Sequence, residues 1–113
     1  MTDKNRQELI YRAAKLLALI EPGEAPESED YDSLDGLVDP LVEQLSEDQI
    51  YYIADPDAIA PAIFEPLARL LANMAGPDFG VPINEEARRR DEQTLRRMGG
   101  GKPTGEVMKT VYY

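Results

Sequence analysis

The chain has 113 residues, enough for one domain with a modest core. It has no cysteine and no histidine, which excludes disulfides and thiolate metal sites and removes the commonest zinc ligand and the usual general base. The formal net charge of −10 is spread unevenly: residues 21–57 hold thirteen acids and no base, whereas residues 84–113 hold five acids and seven bases. That distribution argues against DNA binding by the body of the protein. It reads as a solvated acidic face, or as a surface for a basic neighbour such as another copy. No apolar run reaches the length of a membrane span and Thr2-Asp3-Lys4 does not open a secretory signal, so the expectation is a soluble intracellular protein.

Leu9, Ala13, Leu16, Leu17 and Ile20 recur at helical spacing, with Ile10 beside them, and predict a first helix. Thr2 or Asp3 is placed to cap its start and Pro22-Gly23 to end it. Lys4, Arg6, Gln7, Glu8, Arg12 and Lys15 form its polar side. Residues 21–27 form a turn-rich connection. Ser28 is the expected N-cap of a second helix over 28–45, whose apolar set is Tyr31, Leu34, Val38, Leu41 and Leu45. Glu29, Asp30 and Asp32 suit the positive end of its dipole, and Pro40 predicts a bend.

Residues 46–60 are less regular: Gln49–Ile53 reads as a short extended segment and Asp55-Pro56 as the cap of a single helical turn. Pro61 opens a third helix carrying Ile63, Phe64, Leu67, Leu70, Leu71 and Met74, with Pro66 bending it. It ends near Ala75-Gly76-Pro77, and Phe79-Gly80-Val81 is a stop. Asn84 caps a fourth helix that continues to Met98, with Glu85 and Glu86 early and Arg96-Arg97 late. Its apolar content is thin: Ala87, Leu95 and Met98, with Ile83 just outside. A helix this polar gains little from core burial, so it is expected to lie along one edge and show its arginines outward.

Gly99, Gly100 and Gly101 cut off the helical pattern and read as a hinge. The residues beyond favour extended structure, with no strand in the chain to pair with. The predicted fold is therefore all-α: a small four-helix body over residues 1–98, followed by a hinge and a flexible, extended C-terminal arm over 99–113. Val107, Met108, Lys109, Thr110, Val111, Tyr112 and Tyr113 are the arm's candidate binding residues, with the tyrosines as anchor. The plain alternative is a disordered end.

Catalytic constellations are hard to assemble. Carboxylates abound in 21–57, but nothing in their spacing separates an acid from a base. Asp30-Tyr31-Asp32-Ser33-Leu34-Asp35 lacks the glycine and terminal glutamate of a calcium loop and falls within a helical pattern. Gly99–Thr104 has neither the spacing nor the preceding strand of a phosphate loop. No cofactor, no metal and no enzymatic activity are expected. Arg88-Arg89-Arg90 is the strongest polar signal. It reads as local ion pairs with Glu85, Glu86, Asp91 and Glu92, or as a subunit contact, because three successive helical residues fan over about 200° and cannot share one internal partner.

Several stretches together resemble a known family. They are Glu8-Leu9-Ile10 with Ala13-Ala14-Lys15-Leu16-Leu17, the Gly23-Glu24-Ala25-Pro26 link, the acidic second helix, the junction from Ile53 to Pro61, and Leu67-Ala68-Arg69-Leu70-Leu71-Ala72 ending at Phe79-Gly80. Over about residues 5–98 the chain is similar to the head-to-tail adaptors of tailed bacteriophages and gene transfer agents, also called connectors, tail accessory factors or head-completion proteins. The resemblance implies a four-helix body that assembles as a homo-oligomeric ring, typically of twelve copies, beneath the portal protein. It implies a C-terminal arm that docks on the portal, a downstream tail protein below, and DNA passing through the channel without sequence-specific contacts. The place of action would be the virion neck, reached from the host cytoplasm during assembly. A second reading is a small acidic helical regulator or DNA mimic whose carboxylates imitate phosphates for a basic partner.

Overall fold

The computed structural model describes residues 2–99; Gly100, Gly101 and the whole candidate arm, Val107 to Tyr113, lie outside the described residues. The described residues form an all-α domain of four helices: α1 (Arg6–Leu16), α2 (Ser28–Glu47), α3 (Pro61–Ala75) and α4 (Glu85–Arg97), with a 3-10 turn at Gly76–Phe79.

The first helix starts later and stops earlier than its expected cap and stop imply. Its cap is Asn5, not Thr2 or Asp3: the Asn5 side chain accepts from the Glu8 amide (2.8 Å) and the Glu8 carboxylate accepts from the Asn5 amide (2.9 Å). Residues 2–4 are held away from the helix because Lys4 exchanges two backbone hydrogen bonds of 2.8 Å with Ile59. The helix ends at Leu16, not at Pro22-Gly23, because Ala18 takes a left-handed φ of 61°. The Leu19 amide then reaches the Ala14 carbonyl and the Ala18 amide the Lys15 carbonyl, both at 3.0 Å, which closes the last turn.

In α2, Glu27 rather than Ser28 is the N-cap; no side chain of the cap bonds the first turn, and the Glu27 carbonyl accepts the first helical hydrogen bond, from the Tyr31 amide at 2.8 Å. The helix runs through Pro40 to Glu47, two residues beyond the expected end. Its C-terminus repeats the motif of α1. Gln49 has φ 57°, its amide reaches Ser46, and the buried Ile50 reaches back to Leu45 at 2.8 Å. Residues 49–53 therefore form no strand; their start completes a helix cap, and Ile50 and Ile53 are buried in the core. Asp55-Pro56 makes a hydrogen-bonded turn rather than a helical one, with the Asp57 amide on the Asp55 carboxylate at 2.9 Å.

The second half matches its local signals. Pro61 is the first residue of α3, where its missing N–H costs nothing. Gly76 has to be glycine: a Cβ there would lie 2.6 Å from the Val81 carbonyl oxygen as the chain doubles back. The Asn84 side chain caps α4 by accepting from the Ala87 amide at 3.0 Å. α3 is the hub, packing against α1, α2 and α4, while α1 also meets α2. α2 and α4 flank α3 without packing on each other. Leu9, Ile10, Leu34, Leu45, Leu67 and Leu71 fill the centre.

Candidate functional site

The arginines of α1 and α3 are consumed inside the body. Arg6 spans to α2, donating Nε to the Asp35 carboxylate (2.6 Å), Nη1 to Asp39 (2.9 Å) and Nη2 to the Asp35 carbonyl (2.9 Å). These contacts, Asp39 foremost, hold its guanidinium above its ordinary pKa. Arg12 grips both oxygens of Glu65 at 2.8 Å, a bidentate bridge from α1 to α3. The bridge raises Arg12 and lowers the Glu65 carboxyl below its ordinary range. Arg69 continues the chain, lying 3.7 Å from Glu65 and donating to the buried Asp91 of α4 at 3.1 Å. One charged strap thus joins α1, α3 and α4.

What remains outside is mostly acidic on α2 and mostly basic on α4, where the exposed Glu86 lies among the arginines. On α2, Glu29, Asp32, Asp39, Glu43 and Glu47 recur at three, four and seven residues and fall within one arc at 100° per residue. All five are exposed, and among the described residues only Asp39 has an ion-pair partner. On α4, Arg88 is spoken for by its own helix, hydrogen-bonded to Glu85 and, at 3.2 Å, to Glu92. Glu85 is the main cause that raises its pKa. Arg89, Arg90, Arg96 and Arg97 are exposed, and none has an ion-pair partner among the described residues. Of the arginine triplet, the local-pair reading therefore describes Arg88, while Arg89 and Arg90 face solvent.

Two clefts accompany these faces. One of about 240 Å³ lies over α3 between α2 and α4, floored by Leu45, Leu70, Met74 and Ile83. The other, about 410 Å³, opens between α1 and the 20–25 connection; there the Lys4 ammonium sits 5.4 Å from the centre of the Phe64 ring. No cluster of three or more His, Cys, Asp or Glu side chains that could hold a metal occurs among the described residues. No helix among them is long and apolar enough to cross a membrane. Of the hinge glycines, Gly99 closes α4 with φ 70°, its amide bonded to the Arg96 carbonyl at 3.1 Å.

Sequence reasoning missed the buried Asp91 and the Arg12–Glu65–Arg69 strap. A faint signal existed: Asp91 lies four residues before Leu95 on the thin apolar side of α4. No family model matches the chain, and no curated protein or solved structure matches it.

Proposed function

We propose that this protein is a structural head-to-tail adaptor: a ring subunit beneath a phage or gene-transfer-agent portal that closes the filled head and joins it to the tail. The observation that carries the reading is the charge separation between α2 and α4. A subunit that presents an acidic helix on one flank and, on another, arginines with no ion-pair partner among the described residues suits a heterologous, head-to-tail contact, which closes into a ring when the rotation allows. The four-helix body has the architecture that the sequence resemblance implies. In this reading residues 107–113 dock on the portal, Gly99 to Gly101 allow the reach, and the protein performs no catalysis. Acidic residues of α2 left facing the channel would repel the DNA backbone and let it slide.

The test is to delete residues 102–113 and incubate the truncated protein with portal-containing heads of the same phage. The expected product is a folded helical protein, by circular dichroism, that no longer joins heads carrying portal. Normal attachment of the truncated protein would remove the arm from the proposal.

The α2 stripe also favours the second reading, a regulator whose carboxylates mimic phosphates for a basic partner. That protein would engage a nucleic-acid-binding protein tightly and leave portal rings undecorated in electron micrographs.

A further inference from the structure

We propose that the outer face of α4 in one copy docks along the acidic stripe of α2 in the next copy. The inference rests on the ring reading and assigns its subunit contact to two particular helix faces.

Neither face is covered by another helix among the described residues, although Asp39 on the α2 side already pairs with Arg6 while staying 72% exposed. Among the described residues α4 meets no helix but α3, so the side carrying Arg89, Arg90, Arg96 and Arg97, with Glu86 between them, is uncovered there. α2 turns Asp32, Asp39 and Glu43 to solvent along its length. Arg89 and Arg96 are seven residues apart, as are Arg90 and Arg97, and so are Asp32 and Asp39. At 1.5 Å per residue each interval is about 10.5 Å, so two helices laid side by side bring both charges of one pair level with both of the other.

The middle of the acidic stripe is low. Gly36 has no side chain and nothing within 4 Å of where one would be, and Pro40 beside it is exposed. Arginine stems can lie on that surface while their guanidinium groups reach the flanking carboxylates. The two faces cannot satisfy each other within one copy, because α2 and α4 flank α3 without packing together. A contact between unlike faces leaves one of each free at the ends, so it propagates from copy to copy until it closes.

Sedimentation of the full chain without portal tests this directly. At about 0.01 M salt, where the screening length is about 30 Å, the wild type is expected to run larger than its 12.6 kDa monomer. At about 1 M, with screening within about 3 Å, it returns toward monomer. Arg89→Glu with Arg96→Glu, and separately Asp32→Lys with Glu43→Lys, should each abolish association while keeping the helical circular dichroism signal. Mixing the two variants should restore association, because each supplies the face that the other now needs. Arg89→Gln with Arg96→Gln, which adds no repulsion, should weaken association on the order of tenfold.

A wild type that stays monomeric at low salt overturns the contact, as does a reversed variant that associates unaided or a mixture that sediments like its components. A wild type that joins portal-containing heads although the mixture fails would discard these faces and leave the adaptor reading standing.

Discussion

α3 and α4 lie side by side and are nearly equal in length, 15 and 13 residues, yet different forces hold them. Eight residues of α3 are buried, and it meets every other helix. α4 buries two, Leu95 and Asp91, and meets α3 alone. The first is held by hydrophobic burial, which is roughly additive in area and indifferent to charge. The second is held by one leucine, one ion pair, two hydrogen bonds between the Asn73 side chain and the Asn84 backbone (2.8 and 2.9 Å), and well-matched ends, with Asn84 and two glutamates at the positive pole and two arginines at the negative. A helix attached this lightly keeps most of its surface for something else.

The largest effects should come from truncating one buried leucine in each helix. Leu71→Ala, at the centre, is expected to lower global stability by about 2–5 kcal/mol, read by urea unfolding. Leu95→Ala removes the single buried apolar side chain of α4, so α4 should loosen before the body does. Amide exchange across residues 85–97 should then accelerate while α1 to α3 keep their protection. If α4 instead exchanges only with global unfolding, it is as integral as α3 and the contrast fails.

Asp91 is next. Asp91→Ala leaves Arg69 without its buried partner, but Arg69 is 42% exposed and keeps Glu65 within 3.7 Å, so water and that carboxylate offset part of the loss. The expected cost is about 1–3 kcal/mol by thermal unfolding, with Asp91→Asn recovering part of it through its amide oxygen.

Local signals were legible where each is satisfied within a few residues. Pro61 at the start of α3, Gly76 at its end and Asn84 before α4 each have one short-range reason to be there. The charged strap was not legible, because Arg12 meets Glu65 across 53 positions and Arg69 meets Asp91 across 22. Nothing short of the packed fold tells Arg12 from its solvated neighbours. The candidate contact was half legible: the i±3 and i±4 carboxylates around Arg88 foretell its neutralisation, but the same rule does not separate Arg89 and Arg90 from it.

The strap also sets a pH dependence. The Glu65 carboxyl lies below its ordinary value of 4.5, first because Arg12 hydrogen-bonds it and then through the charges of Arg12 and Arg69, against the opposing effect of burial. A carboxyl depressed in the folded state contributes stability that is complete above 4.5 and is lost as pH falls through its lowered folded value. Wild type should therefore exceed Glu65→Gln in melting temperature near neutrality, and the gap should close in acid below pH 4.5. A gap that persists unchanged in acid would mean that shape rather than charge joins α1 to α3.

The smallest effect concerns how helices stop, and there the two halves of the chain differ again. The 3-10 turn after α3 and the end of α4 close on left-handed glycines, Gly80 and Gly99, whereas α1 and α2 close on Ala18 and Gln49 in the same backbone conformation. A left-handed φ costs a residue with a Cβ roughly 1 kcal/mol, which glycine avoids, although glycine also loses more backbone entropy on folding. Ala18 is exposed and Gln49 likewise, so neither side chain contributes packing to set against that strain. Ala18→Gly and Gln49→Gly should each raise stability by about 0.5–1 kcal/mol, and their effects should add because the sites close different helices. The half-buried Leu19 and the buried Ile50, which follow these positions and bond back to Ala14 and Leu45, show why the turns form without glycine: a buried apolar residue just past the end pulls the chain into the left-handed step. If that account is right, Ile50→Ala should cost more than Gln49→Gly gains, and the loss should appear first as fraying of the last turn of α2.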